Sequence, residues 1–227
     1  MFDFDYTLAD SSSGVIASTN SALTALGLPA APPDLIRQTI GLTLKDAFAY
    51  IVGKSLPSDR FAAADPVADA DPVADASKAF DRLFIAQADA IMADQTVILP
   101  HVAAAICALR RRGIALGVVS SKFRYRIEQI LEREDLRAEF DVIVGREDVI
   151  ASKPDPEGLL TAMAALGSVP ANTCYVGDSV TDAKAAQRAR VPFIAVLSGV
   201  TTQADFTAHA CQAVIANMAE LPEAIAC

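Results

Sequence analysis

The sequence predicts an α/β protein: a parallel sheet with helices on both faces, interrupted after its first strand by an all-helical block. Three observations carry this. Short apolar runs rich in β-branched residues ("MFDFD", "IALGVVSS", "DVIVG", "TCYVGD", "FIAVLSG" and "AVIA") recur along the chain and read as strands. From about Thr96 onward these runs alternate with helical patterns, as they do when helices cover a parallel sheet. Residues 14–93, by contrast, carry helical patterns and no convincing strand. The expected division is a core of residues 1–13 and 94–227 and a helical insertion, a lid, at 14–93. The serines at 11–13 and the stretch Ala93–Thr96 are its expected hinges.

Each element has a local reason. In the insertion, "GVIASTNSALTALGLP", "DLIRQTIGLTLKDAFAYIVG" and "SKAFDRLFIAQADAIMAD" have apolar residues at helical spacing. Between the last two, "ADPVAD" at 64–69 repeats at once as "ADPVAD" at 70–75. Pro66 and Pro72 each remove a backbone donor, so the repeat is expected to be a solvated acidic loop rather than a continuous helix. It lacks the glycine turn and the closing bidentate carboxylate of a calcium loop. In the core, Pro100 opens "HVAAAICALRRRG", which ends in basic residues and Gly113. "FRYRIEQILERE", "DPEGLLTAMAALG" and "DAKAAQRAR" follow successive strands as helices, the second ending at Gly167.

Composition narrows the function classes. Apolar residues are 52% and charged residues 21% of the 227, enough for a sizeable core and too few charges for a disordered chain. The formal charge is 19 − 28 = −9, and the longest basic run is Arg110-Arg111-Arg112, so a nucleic-acid partner is not expected. No apolar run reaches the roughly 18–20 residues of a membrane helix, and no signal-like segment opens the chain. Cys107, Cys174, Cys211 and Cys227 show no metal or redox spacing and read as reduced thiols of a cytoplasmic protein, Cys227 as an exposed one. His101 and His209 stand alone and read as surface or capping residues.

Chemistry concentrates where strands end, which is where ligands gather in open α/β sheets. Asp3 and Asp5 end the first run, Ser120 and Ser121 the second; Lys153 follows "DVIVG", and Asp178 ends "TCYVGD" with Asp182 four residues on. A carboxylate can attack phosphorus and split one hydrolysis into two steps. Carboxylate and phosphate repel unless a cation bridges them, and Mg²⁺ needs only one or two carboxylates beside its waters. Asp3 and Asp178 would supply these carboxylates. A lysine and a serine hydroxyl suit phosphate oxygens, which fits Lys153 and Ser120. Asp5, on the same face as Asp3 by the strand period, could protonate a leaving oxygen and then activate water. The bland readings are edge-strand charges for Asp3 and Asp5, turn residues for the serines, a loop lysine for Lys153, and helix caps for Asp178 and Asp182.

"DFDYTL", "GVVSSK", "SKPDP" and "GDSVTD", in this order, resemble the four motifs of the haloacid-dehalogenase superfamily, in its phosphoglycolate-phosphatase-like branch. The resemblance covers essentially the whole chain. It implies a Rossmann-like core with a helical cap inserted after the first motif. It makes Asp3 the nucleophile and Asp5 the general acid/base and a carbonyl ligand of the metal. Phosphate falls to Ser120, Ser121 and Lys153, Mg²⁺ to Asp3, Asp5 and Asp178, and a place behind these to Asp182. Tyr6 stands where the family often has glycine. The second aspartate, which the dehalogenases and the phosphonate-cleaving relatives lack, points to phosphate esters.

The resulting expectation is a Mg²⁺-dependent phosphatase of a small phosphorylated metabolite, phosphoglycolate-like or a sugar phosphate, working through an aspartyl-phosphate. Two alternatives remain: a sugar-phosphate mutase of the β-phosphoglucomutase type, with the same core motifs, and a catalytically silent phosphate-binding module. Thr43 and Lys45 in "TIGLTLKDAF" are the substrate candidates of the lid, against a plain helix-start role. A monomer or homodimer is expected. Only Met1 and Phe2 precede Asp3, short of the five or six residues usual in a central strand. The natural chain is therefore expected to carry further residues there, and a native N-terminal mass matching Met1 would overturn that.

Overall fold

The structure, a computed structural model, describes residues 1–55 and 72–225. In chain order its elements are β1 (Ala9–Asp10), α1 (Ser12–Ala25), α2 (Pro33–Arg37), α3 (Leu44–Ser55), α4 (Pro72–Ile91) and β2 (Val97–Ile98). There follow α5 (Val102–Arg111), β3 (Gly117–Val119), α6 (Arg124–Arg133), β4 (Val142–Val144), α7 (Glu157–Leu166) and β5 (Tyr175–Gly177). The chain closes with α8 (Val180–Ala189), β6 (Phe193–Val196), β7 (Ala213–Ile215) and α9 (Leu221–Ala224). It separates into two units, one of Met1–Asp10 with Thr96–Cys227 and one of Ser11–Gln95.

The first unit is built on one parallel sheet. Val118 lies opposite Ile143 where β3 meets β4, and β5, β6 and β7 pair in register through Val176, Ile194, Ala195 and Val214. The N-terminal segment joins the two sets. Phe2 bridges in parallel to Val118 on one side and Val176 on the other, through N–H···O bonds of 2.8–2.9 Å. The strand order is therefore β4, β3, N-terminal segment, β5, β6, β7. Phe2, Val118, Val176 and Ile194 are all but fully buried, which is why these runs are apolar throughout rather than alternating. Helix α7 packs on β3 and β4, and α8 on β5 and β6. A small antiparallel pair of β1 and β2, with Ala9 opposite Ile98, lies outside the parallel ladder and was not expected from the sequence.

The second unit is helical. Leu23 of α1, Ile36 of α2, Phe48 and Ile51 of α3, and Phe80, Phe84 and Ala88 of α4 form its core. The i, i+4 spacing of Phe80, Phe84 and Ala88 stacks them on one face of α4. The Phe48 and Phe80 rings meet with centroids 4.9 Å apart.

Four expectations need correcting. "MFDFD" is not a continuous strand: Phe2 alone is in the ladder, and the chain turns at once, with the Leu8 and Ala9 N–H groups donating to the Phe4 carbonyl. Tyr6 takes φ +58°, the conformation that glycine would adopt without strain in that turn. The serines at 11–13, expected as a hinge in the core, fall in the helical unit: Ser12 and Ser13 open α1, and Ser11 and Ser12 are buried. The pattern over 34–53 is two helices, broken where Gly41 takes φ +91° and Thr43 starts α3. The first copy of the acidic repeat lies outside the described residues; of the second copy, Pro72–Asp75 begin α4 rather than a loop. Proline fits there because the first turn of a helix has no use for its missing N–H.

Among the described residues no helix is long and apolar enough to cross a membrane. Cys107 is exposed, and Cys174 and Cys211 are partly buried, all three as free thiols.

Candidate active site

The polar residues that the sequence places at strand ends come together at one edge of the parallel sheet. Asp3 leaves the sheet directly after Phe2, Ser120 follows β3, Lys153 lies in the loop after β4, and Asp178 follows β5. All four side chains are nearly buried. Lys153 Nζ stands 2.8 Å from Asp3 Oδ1 and 2.7 Å from Asp182 Oδ1, with the Tyr175 hydroxyl at 3.2 Å. Asp178 accepts a hydrogen bond from the Thr7 hydroxyl at 3.3 Å. Gly199 lies close against Asp178, where a Cβ would meet the carboxylate.

Asp182 caps α8 and also faces Lys153. One carboxylate oxygen faces Lys153, and the other receives the Ser179 N–H at 3.1 Å while the Asp182 N–H donates to Ser179 Oγ, a reciprocal cap that starts α8. The cap fixes a side chain that is wholly buried, and Gly177 leaves it room.

Charge decides what this arrangement wants. Asp3, Asp178 and Asp182 each offer an oxygen within 4.8 Å of the others, all buried, and Lys153 is the cation among them. Three carboxylates against one ammonium leave negative charge that only protons or a further cation can offset. Burial pushes the Asp3 carboxyl up to about 6, Lys153 opposing this and Asp182 and Asp5 adding to it. Burial, then Asp182 and Asp3, push Asp178 well above the ordinary carboxylate range. For Lys153, burial works against the charge, but Asp182 and Asp3 outweigh it and hold the ammonium above its usual value. An all-oxygen donor set with excess negative charge fits a hard divalent cation, which Asp3, Asp178 and Asp182 could hold.

Asp5 sits in the turn after Phe4, and its carboxylate is 3.1 Å from Lys122 Nζ, with both side chains nearly buried. The sequence reading passed over Lys122, although it stands inside "GVVSSK", two residues after Ser120. The Ser120 hydroxyl accepts the Lys122 N–H at 3.3 Å. The Ser121 hydroxyl is buried without a hydrogen-bond partner, as is that of Ser152, and both line a small cleft with Ser120, Gly145 and Lys153. Tyr175 and Thr7 were also unassigned. Thr43 and Lys45 belong to the helical unit. Thr43 immediately precedes α3, accepting the Asp46 N–H at 3.1 Å and donating to its carboxylate at 2.7 Å, while Lys45 is exposed in the first turn.

Comparison with known proteins bears directly on this site. The haloacid dehalogenase-like hydrolase family matches residues 1–196. A phosphoglycolate phosphatase of Salmonella typhimurium is 32% identical over 202 residues, covering 87% of this chain and 80% of the relative. A phosphoglycolate phosphatase of Escherichia coli strain K12 is 31% identical over the same shares. Among solved structures, a haloacid dehalogenase-like hydrolase from Bacteroides fragilis superposes with a TM-score of 0.86 at 36% identity, covering 97% of each chain. The chain belongs to the haloacid dehalogenase-like hydrolases, and it is a phosphatase of that family.

Proposed function

We propose that this phosphatase hydrolyses a small phosphorylated metabolite, phosphoglycolate or an ester like it, through an aspartyl-phosphate on Asp3 with Mg²⁺ as the metal. The observation that carries the reading is Asp3 itself, a buried carboxylate held by Lys153 within reach of Asp178 and Asp182. Asp3 attacks phosphorus as the bond to the leaving oxygen breaks, and Asp5 gives that oxygen its proton. Asp5, then a carboxylate, takes a proton from the water that cleaves the acyl phosphate and returns Asp3. Lys153, Ser120 and Ser121 hold phosphate oxygens. Held by Asp3, Asp178 and the Asp5 carbonyl, Mg²⁺ would offset the charge of carboxylate and phosphate. The helical unit is the proposed cap, with Thr43 and Lys45 as its substrate contacts.

Phosphate release from a panel of small phosphomonoesters tests the reading. Wild type with Mg²⁺ is expected to turn over short carboxylated or sugar esters, and Asp3→Asn to lower kcat at least about a thousandfold, the scale of a lost nucleophile. Undiminished turnover in Asp3→Asn would remove the nucleophile from the mechanism. The phosphatase names of the relatives favour transfer to water over transfer back to a sugar.

A further inference from the structure

Tyr175 is a buried tyrosine that the reaction above leaves without a task. It lies in β5 with no exposed surface, its ring against Phe193 at 6.3 Å between centroids. An apolar strand residue in that place would need no hydroxyl, and a buried hydroxyl needs partners. It has three within reach: the Val119 carbonyl at 2.8 Å, Asp182 Oδ1 at 3.1 Å and Lys153 Nζ at 3.2 Å.

The hydrogens can be assigned. A phenol has one proton to give, and the shortest contact takes it to Val119, the residue before Ser120. Its lone pairs then face Lys153. The Lys153 ammonium donates to Asp182 Oδ1 at 2.7 Å and to the Tyr175 hydroxyl at 3.2 Å, and Asp3 Oδ1 stands 2.8 Å away as an ion-pair partner. Two charged neighbours and the phenol together fix where the ammonium points. The two carboxylate contacts are charge-assisted, so the phenol is the partner most easily exchanged for an incoming anion.

We propose that Tyr175 is a positioning residue that acts through Lys153. Its hydroxyl ties the end of β3 to the lysine, so that Ser120 and the ammonium present themselves to one phosphate in a fixed relation. Lys153 keeps its carboxylate partners throughout, and the phenol holds one ammonium hydrogen until a phosphate oxygen takes it. The inference rests on the phosphatase reading of the site and extends it to a residue inside the core.

Tyr175→Phe keeps the ring and removes only the hydroxyl. Calorimetry with inorganic phosphate and with Mg²⁺ on the full chain is the test. The expected result is phosphate binding weakened about tenfold, the scale of one hydrogen bond in a charged network, with Mg²⁺ affinity within about twofold. With an ester substrate the loss should sit in KM, kcat staying within about threefold. In a Lys153→Met background the same change should cost phosphate affinity less than about twofold, because the residue it acts through is gone. Unchanged phosphate affinity, a parallel loss of Mg²⁺ affinity, or an equal loss in the Lys153→Met background would each overturn the proposal. So would a wild type that binds no phosphate. Phosphate binding is read without turnover, so a wild type that binds phosphate but hydrolyses no ester would overturn the phosphatase reading alone.

Discussion

A lysine and a carboxylate buried together are costly to disturb from one side only. Asp5 and Lys122 form such a pair at 3.1 Å, with about a tenth or less of either side chain exposed. Lys122→Met should destabilise the fold by about 3–5 kcal/mol, because it leaves a buried carboxylate uncompensated. The double change Lys122→Met with Asp5→Asn should recover most of that, since neither charge remains. Urea unfolding of wild type and the two variants measures it, and a Lys122→Met protein as stable as wild type would show that water already screens the pair. The two partners lie 117 positions apart, which explains why only one was legible. Asp5 stands out beside Asp3 after a short apolar run, whereas a lysine after two serines reads as a turn residue until the fold brings it to Asp5. Tyr175 was hidden for the opposite reason: in a strand it reads as core, and its ring is core. Asp3, Ser120 and Asp178 could be picked out because each directly follows a residue of the parallel ladder, and Lys153 because its loop follows β4, so that backbone direction gathers them at one edge.

Elements place these residues through contacts between neighbouring loops. The start of α6 is held against the loop after β4: the Arg124 N–H donates to Glu147 at 2.9 Å, its guanidinium reaches Asp148 at 3.0 Å, and the Arg146 N–H donates to the Lys122 carbonyl at 3.0 Å. Gly145 permits the approach, since a Cβ there would lie 2.3 Å from the Arg124 nitrogen. Gly145→Ala has no side chain to displace, only backbone. It should therefore cost about 1–3 kcal/mol of overpacking and weaken phosphate binding as the Ser120 and Lys153 loops separate. Calorimetry with inorganic phosphate checks the second effect; retained affinity in a destabilised variant would mean the loops hold their spacing by other contacts. In the helical unit, Thr43→Ala should cost about 1 kcal/mol as a lost helix cap. If kcat/KM on the preferred ester then stays level, Thr43 is a cap alone and the substrate proposal for it fails. Helix existence was readable from periodicity throughout, and the misplaced boundaries share a cause. A positive-φ glycine at Gly41 and a helix-opening proline at Pro72 are backbone events that an apolar pattern does not record.

At the scale of the whole molecule, the site is a concentration of negative charge inside a chain that is already acidic, at −9. Without a cation, the folded state must bury carboxylates that the unfolded chain leaves in water. Burial raises Asp3 from its ordinary 3.8 to about 6, and Asp178 moves in the same direction. Between those values the folded state binds more protons than the unfolded one, so stability falls as pH rises. This contribution is complete below the unfolded value and is lost as pH climbs through about 6. Glu157, which accepts the Ile150 and Ala151 N–H groups, has the opposite sign, but its carboxyl is lowered and changes charge below this range. The buried Met1 ammonium, lowered from 8.0 to about 6, has the opposite sign between those values. The metal-free order of melting temperatures is therefore a balance of the two, and the carboxylates are read from the Mg²⁺ increment instead. Mg²⁺ binds the deprotonated carboxylates and competes with those protons, so the stabilisation it adds should grow as pH rises. At a concentration one hundred times its Kd it adds about 2.7 kcal/mol, and the Kd itself tightens as pH rises through the Asp3 range. Melting curves at pH 5.5 and pH 8, with EDTA and with Mg²⁺, check this as one experiment. The expected pattern is a Mg²⁺ increment in Tm that is small at pH 5.5 and large at pH 8. An increment independent of pH would mean that the cation does not bind at Asp3 and Asp178, because no ligand of those groups can bind without displacing their protons.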